Sequence, residues 1–321
     1  MTNEDGRMQG VVLRAHSGHC RVLCEHREVD CRLRGRLKQG RQEARTVAVA
    51  GDRVELEMAP DGSTGVIEAV LPRTNKISRM SSKRDRGRVE QVLMANLDQV
   101  VVVQSVSRPD PVAGFVDRLL VAAERFEVDG VLCLNKVDLA PDVAAEARWS
   151  YYETFGCRVL RTSAETGEGV AEFGALLKGK TSLLLGASGT GKSSLLARAT
   201  GMELRVGEVT EKTGLGRHTT TLTELFPLSE GGFIADSPGI RGFDAWDLEI
   251  AELRDAFPDF HEPGYQCRFT TCIHRDEPDC GVKAAVTAGR IPSWRLDAYL
   301  GMLKDLDQGR IDHSGQRRRR S

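Results

Sequence analysis

Apolar and polar positions first alternate in short runs and then, past residue 98, change to longer apolar blocks. Runs at 10–13, 20–24, 29–33, 52–57 and 65–70 are parted by polar turns. Five such strands predict a small antiparallel barrel, of the oligonucleotide-binding type as best match. In 31–37 Arg32, Arg34 and Arg36 alternate with apolar residues, which puts cations on the outer face of a strand. That face suits either a polyanion or plain solvent. Residues 71–75 read as the exit from the barrel, and the Lys- and Arg-rich stretch 81–88 as a mobile basic loop within a linker.

The later blocks alternate between two rhythms. Residues 99–104 form a continuous apolar run suited to a strand covered on both faces, 115–126 has helical spacing, and 130–134 is another buried strand. A helix over 142–155, a strand at 157–161, a turn at 162–167 and a short helix follow. Strands at 181–185, 221–226 and 232–236 continue the α/β pattern, and helices are predicted at 250–257 and 284–303.

Composition narrows the class. With 321 residues, 40% hydrophobic and 28% charged, the chain has material for two or three ordinary domains. No apolar run reaches membrane-spanning length and the first residues lack a hydrophobic signal segment, so a cytoplasmic protein with no membrane partner is expected. Eight unevenly spaced cysteines argue for reduced thiols, some on a metal. His16, His19, Cys20, Cys24, His26 and Cys31 match no common metal spacing, and Cys133 and Cys157 read as core packing. The net charge of −1 hides basic stretches at 32–45, 73–88 and 317–320 that can meet a polyanion. The terminal run reads as a disordered tail able to contact RNA phosphates.

The chemistry centres on Gly186-Ala187-Ser188-Gly189-Thr190-Gly191-Lys192-Ser193, which follows one predicted strand and, with Ser194, opens a helix. Glycines let the backbone wrap a phosphate so that amides and the helix N-terminus face the anion. Lys192 adds a point charge and Ser193 can ligate magnesium. The strand at 130–134 ends in Asn135-Lys136-Val137-Asp138. A carboxylate there accepts hydrogen bonds from the N1–H and exocyclic amine of guanine, a pair adenine lacks. Asn135 would tie neighbouring loops and Lys136 would cover the ring with its stem. An amide of Ser163 or Ala164 would meet the guanine carbonyl. Asp236 would hold magnesium through water and the Gly239 amide would face the γ-phosphate.

These guanine pieces precede the phosphate loop, whereas ordinary GTPases carry them after it. That permuted order, with Gly216-Arg-His-Thr-Thr-Thr221, an N-terminal barrel and a cysteine-rich end, resembles the RsgA (YjeQ) family of circularly permuted GTPases dependent on the small ribosomal subunit. Where many GTPases place a water-orienting Gln after Asp-x-x-Gly, this chain has Ile240. His218 is the suitable neighbour, and the resemblance implies a catalytic role for it beside Lys192. Thr220 is taken as the switch threonine that sees magnesium, although Thr219 and Thr221 adjoin it. Cys267-x4-Cys272-x-His274-x5-Cys280 offers three thiolates and one imidazole, a closed tetrahedral set for one structural zinc, and it matches the family's zinc motif.

The expected organisation is a multidomain α/β protein: an OB-type β-barrel over 1–72, a basic linker over 73–95, a permuted G domain over 96–243, and a zinc-binding helical domain with a basic tail over 244–321. The resemblance implies a monomer that hydrolyses GTP to GDP with magnesium, binds the small ribosomal subunit and its rRNA during late maturation, and is stimulated by it.

Overall fold

The computed structural model describes residues 7–35, 48–83, 87–112, 114–202, 223–236 and 248–307. The expectations for His218, Thr220, Gly239 and the 317–320 tail lie outside the described residues, and Asp236 is described through its backbone alone. The chain divides into two compact units, one of residues 1–99, 174–184 and 200–242, the other of 100–173, 185–199 and 243–321.

In the first unit, β1 (Met8–His16), β2 (His19–Cys24), β3 (Arg27–Leu33), β4 (Arg53–Met58) and β5 (Thr64–Val70) close a barrel in the order β1-β2-β3-β5-β4. The expected antiparallel barrel forms with one exception, since β3 and β5 run parallel while the other neighbouring pairs are antiparallel. A closed ring with an odd number of strands cannot alternate direction throughout, so one parallel neighbour pair is unavoidable. The core holds Val12, Val22, Val54, Leu56 and Ile67 together with Cys20, Cys24 and Cys31. Burial pushes the Cys20 thiol up to about 11 and the Cys31 thiol to about 12, which keeps both as neutral packing groups. His16, His19 and His26 are exposed, so the N-terminal imidazoles and thiols are not gathered into a metal site. Arg32 and Arg34 stand on the exposed side of β3 and beyond its end.

Of the basic loop expected over 81–88, residues 84–86 lie outside the described residues, and the rest is taken up by backbone pairing. β6 (Lys76–Lys83) and β7 (Gly87–Ala95) form an antiparallel pair running from Lys76 opposite Ala95 to Lys83 opposite Gly87. At its base Ile77, Met94 and Ala95 are fully buried, and that apolar anchor carries a hairpin whose basic composition reads as a loop. Its approach is fixed as well. Arg73 donates Nε and Nη2 to the two carboxylate oxygens of fully buried Asp52 at 2.7 and 2.8 Å, and Asn96 bonds Thr74 and the Gly51 carbonyl.

Three further strands of this unit, β11 (Thr181–Leu185), β12 (Glu224–Pro227) and β13 (Phe233–Asp236), lie in the order β11-β13-β12. β11 and β13 are parallel, and β12 is antiparallel to β13. The Thr181 amide donates to the Asp98 carboxylate at 2.7 Å, and the Asp98 amide returns a bond to the Thr181 carbonyl at 2.9 Å.

In the second unit the order is β10 (Arg158–Thr162), β9 (Asp129–Asn135), β8 (Gln99–Ser105). Every residue of β8 is buried, as expected of a strand covered on both faces. α1 (Phe115–Arg125) buries Val116, Leu119, Leu120 and Val121, each contributing about 1.5–3 kcal/mol. The helix expected over 142–155 is three short pieces, α2 (Pro141–Ala144), α3 (Ala147–Tyr151) and a 3-10 turn (Tyr152–Phe155). Trp149 spans the first break by donating its indole N–H to the Val143 carbonyl at 2.8 Å. α4 (Val170–Leu177) precedes β11, and α5 (Lys192–Thr200) follows it.

The C-terminal part is helical: α6 (Ile250–Asp255), α7 (Pro258–Gly264), α8 (Gly281–Thr287) and α9 (Ser293–Asp307). The single helix expected over 284–303 is interrupted between α8 and α9, where Gly289 turns left-handed (φ +73°) and Pro292 follows. Phe257, Phe260, Tyr299, Met302 and Leu303 fill its core.

Candidate functional site

The phosphate loop leaves β11 at Leu185 and enters α5 at Lys192, the strand-loop-helix setting its glycines require. A Cβ on Gly186 would stand 2.2 Å from the Val103 carbonyl oxygen, and one on Gly191 would stand 2.3 Å from Asn135 Nδ2. Both positions therefore exclude a side chain. Lys192 curls into the loop and donates Nζ to the carbonyls of Gly186 (2.8 Å) and Ala187 (2.7 Å), which holds its charge inside the turn. Ser188, Gly189 and Ser194 are exposed, Ala187 and Ser193 half-buried, and Thr190 fully buried with its hydroxyl bonded to the Ala187 carbonyl.

Residues 135–138 reach this loop from β9. Asn135 is 1% exposed, donates Nδ2 to the Thr190 carbonyl at 2.9 Å, and accepts at Oδ1 from the Thr162 hydroxyl at 3.2 Å. It thus ties the phosphate loop to the end of β10. Lys136, left-handed at φ +63°, donates Nζ to the Gly189 carbonyl at 2.8 Å and to the Arg108 carbonyl. Asp138 is exposed on the turn that follows. Ser163 at the end of β10 is buried, its amide donates to the Glu168 carbonyl, and its hydroxyl accepts from the Thr166 amide. Half-buried Ala164 comes next. The part of Arg108 is absent from the sequence reading; the Ser-Arg-Pro-Asp-Pro turn cluster at 107–111 is the signal that marks a loop there.

A second cluster forms between α7 and α8. The ligand-type atoms of Cys267, Cys272, His274 and Cys280 all lie within 4.8 Å of one another. His274 Nδ1 is 3.6, 3.5 and 3.4 Å from the sulfurs of Cys267, Cys272 and Cys280, and the Cys267 and Cys280 sulfurs are 3.9 Å apart. Ordinary Zn–S and Zn–N bonds at tetrahedral angles require about 3.6 Å between N and S and about 3.8 Å between sulfurs. The four side chains therefore fit a tetrahedral ion and are too far apart for a disulfide. Amides point at the sulfurs, from His274 to Cys272 at 3.4 Å and from Gly281 to Cys267 at 3.3 Å. Burial pushes the Cys272 thiol up to about 12 and draws the His274 imidazole down, so three thiolates here require a cation. Cys133 and Cys157, each also pushed up to about 12 by burial, pack in or beside strands of the second unit.

A model described as the RsgA GTPase matches residues 70–246, more than half of the chain, and one described as the RsgA N-terminal domain matches 9–67. The small ribosomal subunit biogenesis GTPase RsgA of Moorella thermoacetica is 39% identical over 300 residues, covering 93% of this chain and 97% of the relative. Its counterpart from Caldanaerobacter subterraneus is 35% identical over 303 residues, with 94% and 97% covered. Among solved structures, YjeQ from Thermotoga maritima superposes with a TM-score of 0.74 at 34% identity, over 94% of this chain and 98% of that one. YloQ, described as a circularly permuted GTPase, gives 0.73 at 26% identity, over 97% and 99%. With a family model matched over more than half of its length and full-length relatives above 30% identity, the chain belongs to the RsgA family of GTPases.

Proposed function

We propose that this GTPase reads guanine with Asp138, holds the phosphates on 186–194, and acts in late maturation of the small ribosomal subunit, which stimulates its turnover. The observation that carries the nucleotide reading is the Asn135 to Thr190 hydrogen bond, which joins the base-reading segment to the phosphate loop across 55 residues of sequence. Asp138 lies three residues beyond that bond and is exposed, so its carboxylate is accessible to a base edge. The Ser163 amide is already spent on Glu168, so the Ala164 amide takes the guanine carbonyl. Lys136, tied to the Gly189 carbonyl, lays its methylene stem along the base.

At the triphosphate end, the amides of 187–192 and the Lys192 ammonium bind the β- and γ-phosphates and offset charge that builds on the transferred group. Ser193, Thr220 and Asp236 would hold a magnesium ion, which would supply positive charge against the triphosphate. In this reading the Gly239 amide would meet the γ-phosphate, and His218 would orient the attacking water in place of the Gln for which this chain has Ile240. Cys267, Cys272, His274 and Cys280 would hold one zinc as a structural site, since four protein ligands complete a tetrahedral set.

The named relatives are small-subunit biogenesis GTPases, and the partner proposed here is that subunit and its rRNA, met by a cytoplasmic monomer. Among the described residues, no helix is long and apolar enough to cross a membrane. Phosphate release from GTP, measured with and without purified small subunits, tests the reading. Stimulation by subunits, lost in His218→Ala with nucleotide binding intact, is expected; a rate that subunits leave at background overturns it.

A further inference from the structure

Beside the thiol-imidazole cluster opens a cleft of about 260 Å³ with Phe260, Cys272 and His274 in its wall. Two aromatic residues of its lining are turned to solvent: Tyr265 is 89% exposed and Phe269 is 43% exposed. Large rings left in water on a folded surface mark contact sites more often than isolated small apolar groups do. Cys267 and Cys272 bracket Phe269 in sequence, so the backbone that carries this ring is tied at both ends to the cluster. The Arg268 guanidinium lies 5.5 Å from the Phe269 ring centre.

The polar groups of the cleft suit a base edge. His261 Nε2 is 2.8 Å from the Asp255 carbonyl oxygen, which can only accept, so Nε2 carries a hydrogen there. Exposed Thr270 adds a hydroxyl that donates or accepts. Arg254 is engaged by the Asp255 carboxylate at 3.1 Å and by the Thr270 carbonyl at 3.3 Å, so it shapes the wall. Flat rings, a guanidinium on one of them and hydrogen-bonding groups at the edge are the features that capture an unstacked nucleobase. The lining residues Arg254, Asp255, His261 and Thr270 bring polar groups to the same cleft as the two rings.

We infer that this cleft takes an unstacked nucleobase of single-stranded RNA on Tyr265 and Phe269. The inference rests on the proposal that the partner carries RNA, and it assigns the zinc-cluster domain the reading of a single-stranded position. Stacking is independent of counterion release, so it sets the affinity at every salt concentration without changing the salt slope.

The test titrates full-length protein into a fluorescently labelled single-stranded RNA octamer and into an abasic octamer with the same phosphates, at several salt concentrations. Tyr265→Ala and Phe269→Ala should each weaken the normal octamer about tenfold or more at every salt, with an unchanged slope. Tyr265→Phe should retain binding, the abasic octamer should bind all forms alike, and bound zinc should stay at the wild-type level. Wild-type affinity in both alanine variants, or an equal loss on the abasic octamer, overturns the inference. Co-sedimentation with small subunits separates it from the reading it rests on. Variants that bind the octamer normally but lose subunits assign the cleft to a protein component and overturn the base reading. Wild-type protein that binds the octamer through Tyr265 yet never sediments with subunits upholds the cleft and removes the proposed partner.

Discussion

Arg295 Nη1 lies 2.6 Å from Asp117 Oδ1, with both side chains at most 2% exposed and the two residues 178 positions apart in sequence. The same guanidinium makes a two-pronged contact with Asp259, Nη2 to Oδ1 at 2.8 Å and Nε to Oδ2 at 3.0 Å, and Tyr152 and Tyr151 donate hydroxyls to the two carboxylates. Helices α1, α7 and α9 of the second unit thus meet on one buried cation. Burial pulls that cation's pKa down, but Asp259 and Asp117 outweigh it and hold the group above its ordinary range.

Arg295→Met leaves two buried carboxylates facing apolar surroundings, a loss of about 3–5 kcal/mol. The transition assigned to this unit in thermal unfolding should fall by about 10 °C. Arg295→Lys should recover little, because one ammonium cannot reproduce the planar fork that serves both acids. A melting curve for Arg295→Met that overlays the wild type would show the network to be energetically idle.

Gly191→Ala tests the joint between loop and base motif. The new methyl would stand 2.3 Å from Asn135 Nδ2, and the residue sits at φ +87°, where an L side chain costs about 1–2 kcal/mol. Calorimetric titration with GDP should show affinity down at least about tenfold, and the same strain should lower the melting temperature by several degrees. Because the clash is with Asn135 itself, Gly191→Ala and Asn135→Ala should be non-additive when combined. Strict additivity would place the strain elsewhere.

Much of this was legible in the sequence because the controlling interactions are local. The loop from Gly186 to Ser193 and the Cys267 to Cys280 spacing specify short-range geometry, and both assemble as their spacing implies. Barrel strands came from period-two alternation, but the parallel β3–β5 pair did not, since direction is a property of the closed ring and not of any strand. The β6–β7 hairpin was hidden because its pairing is made by backbone, while its basic side chains suggested a loop. The Arg295 network was invisible for a different reason: Asp117, Asp259 and Arg295 each look like ordinary surface charges on helices, and only packing shows that they converge. The tie from Lys136 to Arg108 belongs to the same class.

The thiol-imidazole cluster gives a direct measurement. Zinc analysis of purified protein should return one ion per chain, and Cys280→Ser should lose it, since three ligands remain for a tetrahedral site. With the ion gone, the desolvation that pushes Cys272 up to about 12 leaves neutral thiols with little to hold 267–280 together. Limited proteolysis should then cut within 267–280 in the variant or after chelation, and spare the wild type. Equal resistance in all three samples would mean that packing of Phe257, Phe260 and Tyr299 suffices without metal.

Base choice is the sharpest test of the nucleotide reading. Asp138 is exposed, so replacing it leaves no buried group unpaired and should not disturb the fold. In the proposed site its carboxylate accepts two hydrogen bonds from guanine, each worth about 1.5–3 kcal/mol to a charged acceptor. Asp138→Asn turns one acceptor into a donor that faces another donor on guanine, so GTP affinity should fall at least about a hundredfold. Xanthine carries a carbonyl where guanine carries its exocyclic amine, so the same variant should gain affinity for XTP. Asn135→Ala, which cuts the tie to Thr190 while leaving the carboxylate in place, should weaken GTP and XTP alike. Competition titrations with GTP, XTP and ATP on the two variants separate these outcomes, and a wild-type preference for GTP in Asp138→Asn would move base recognition away from residues 135–138.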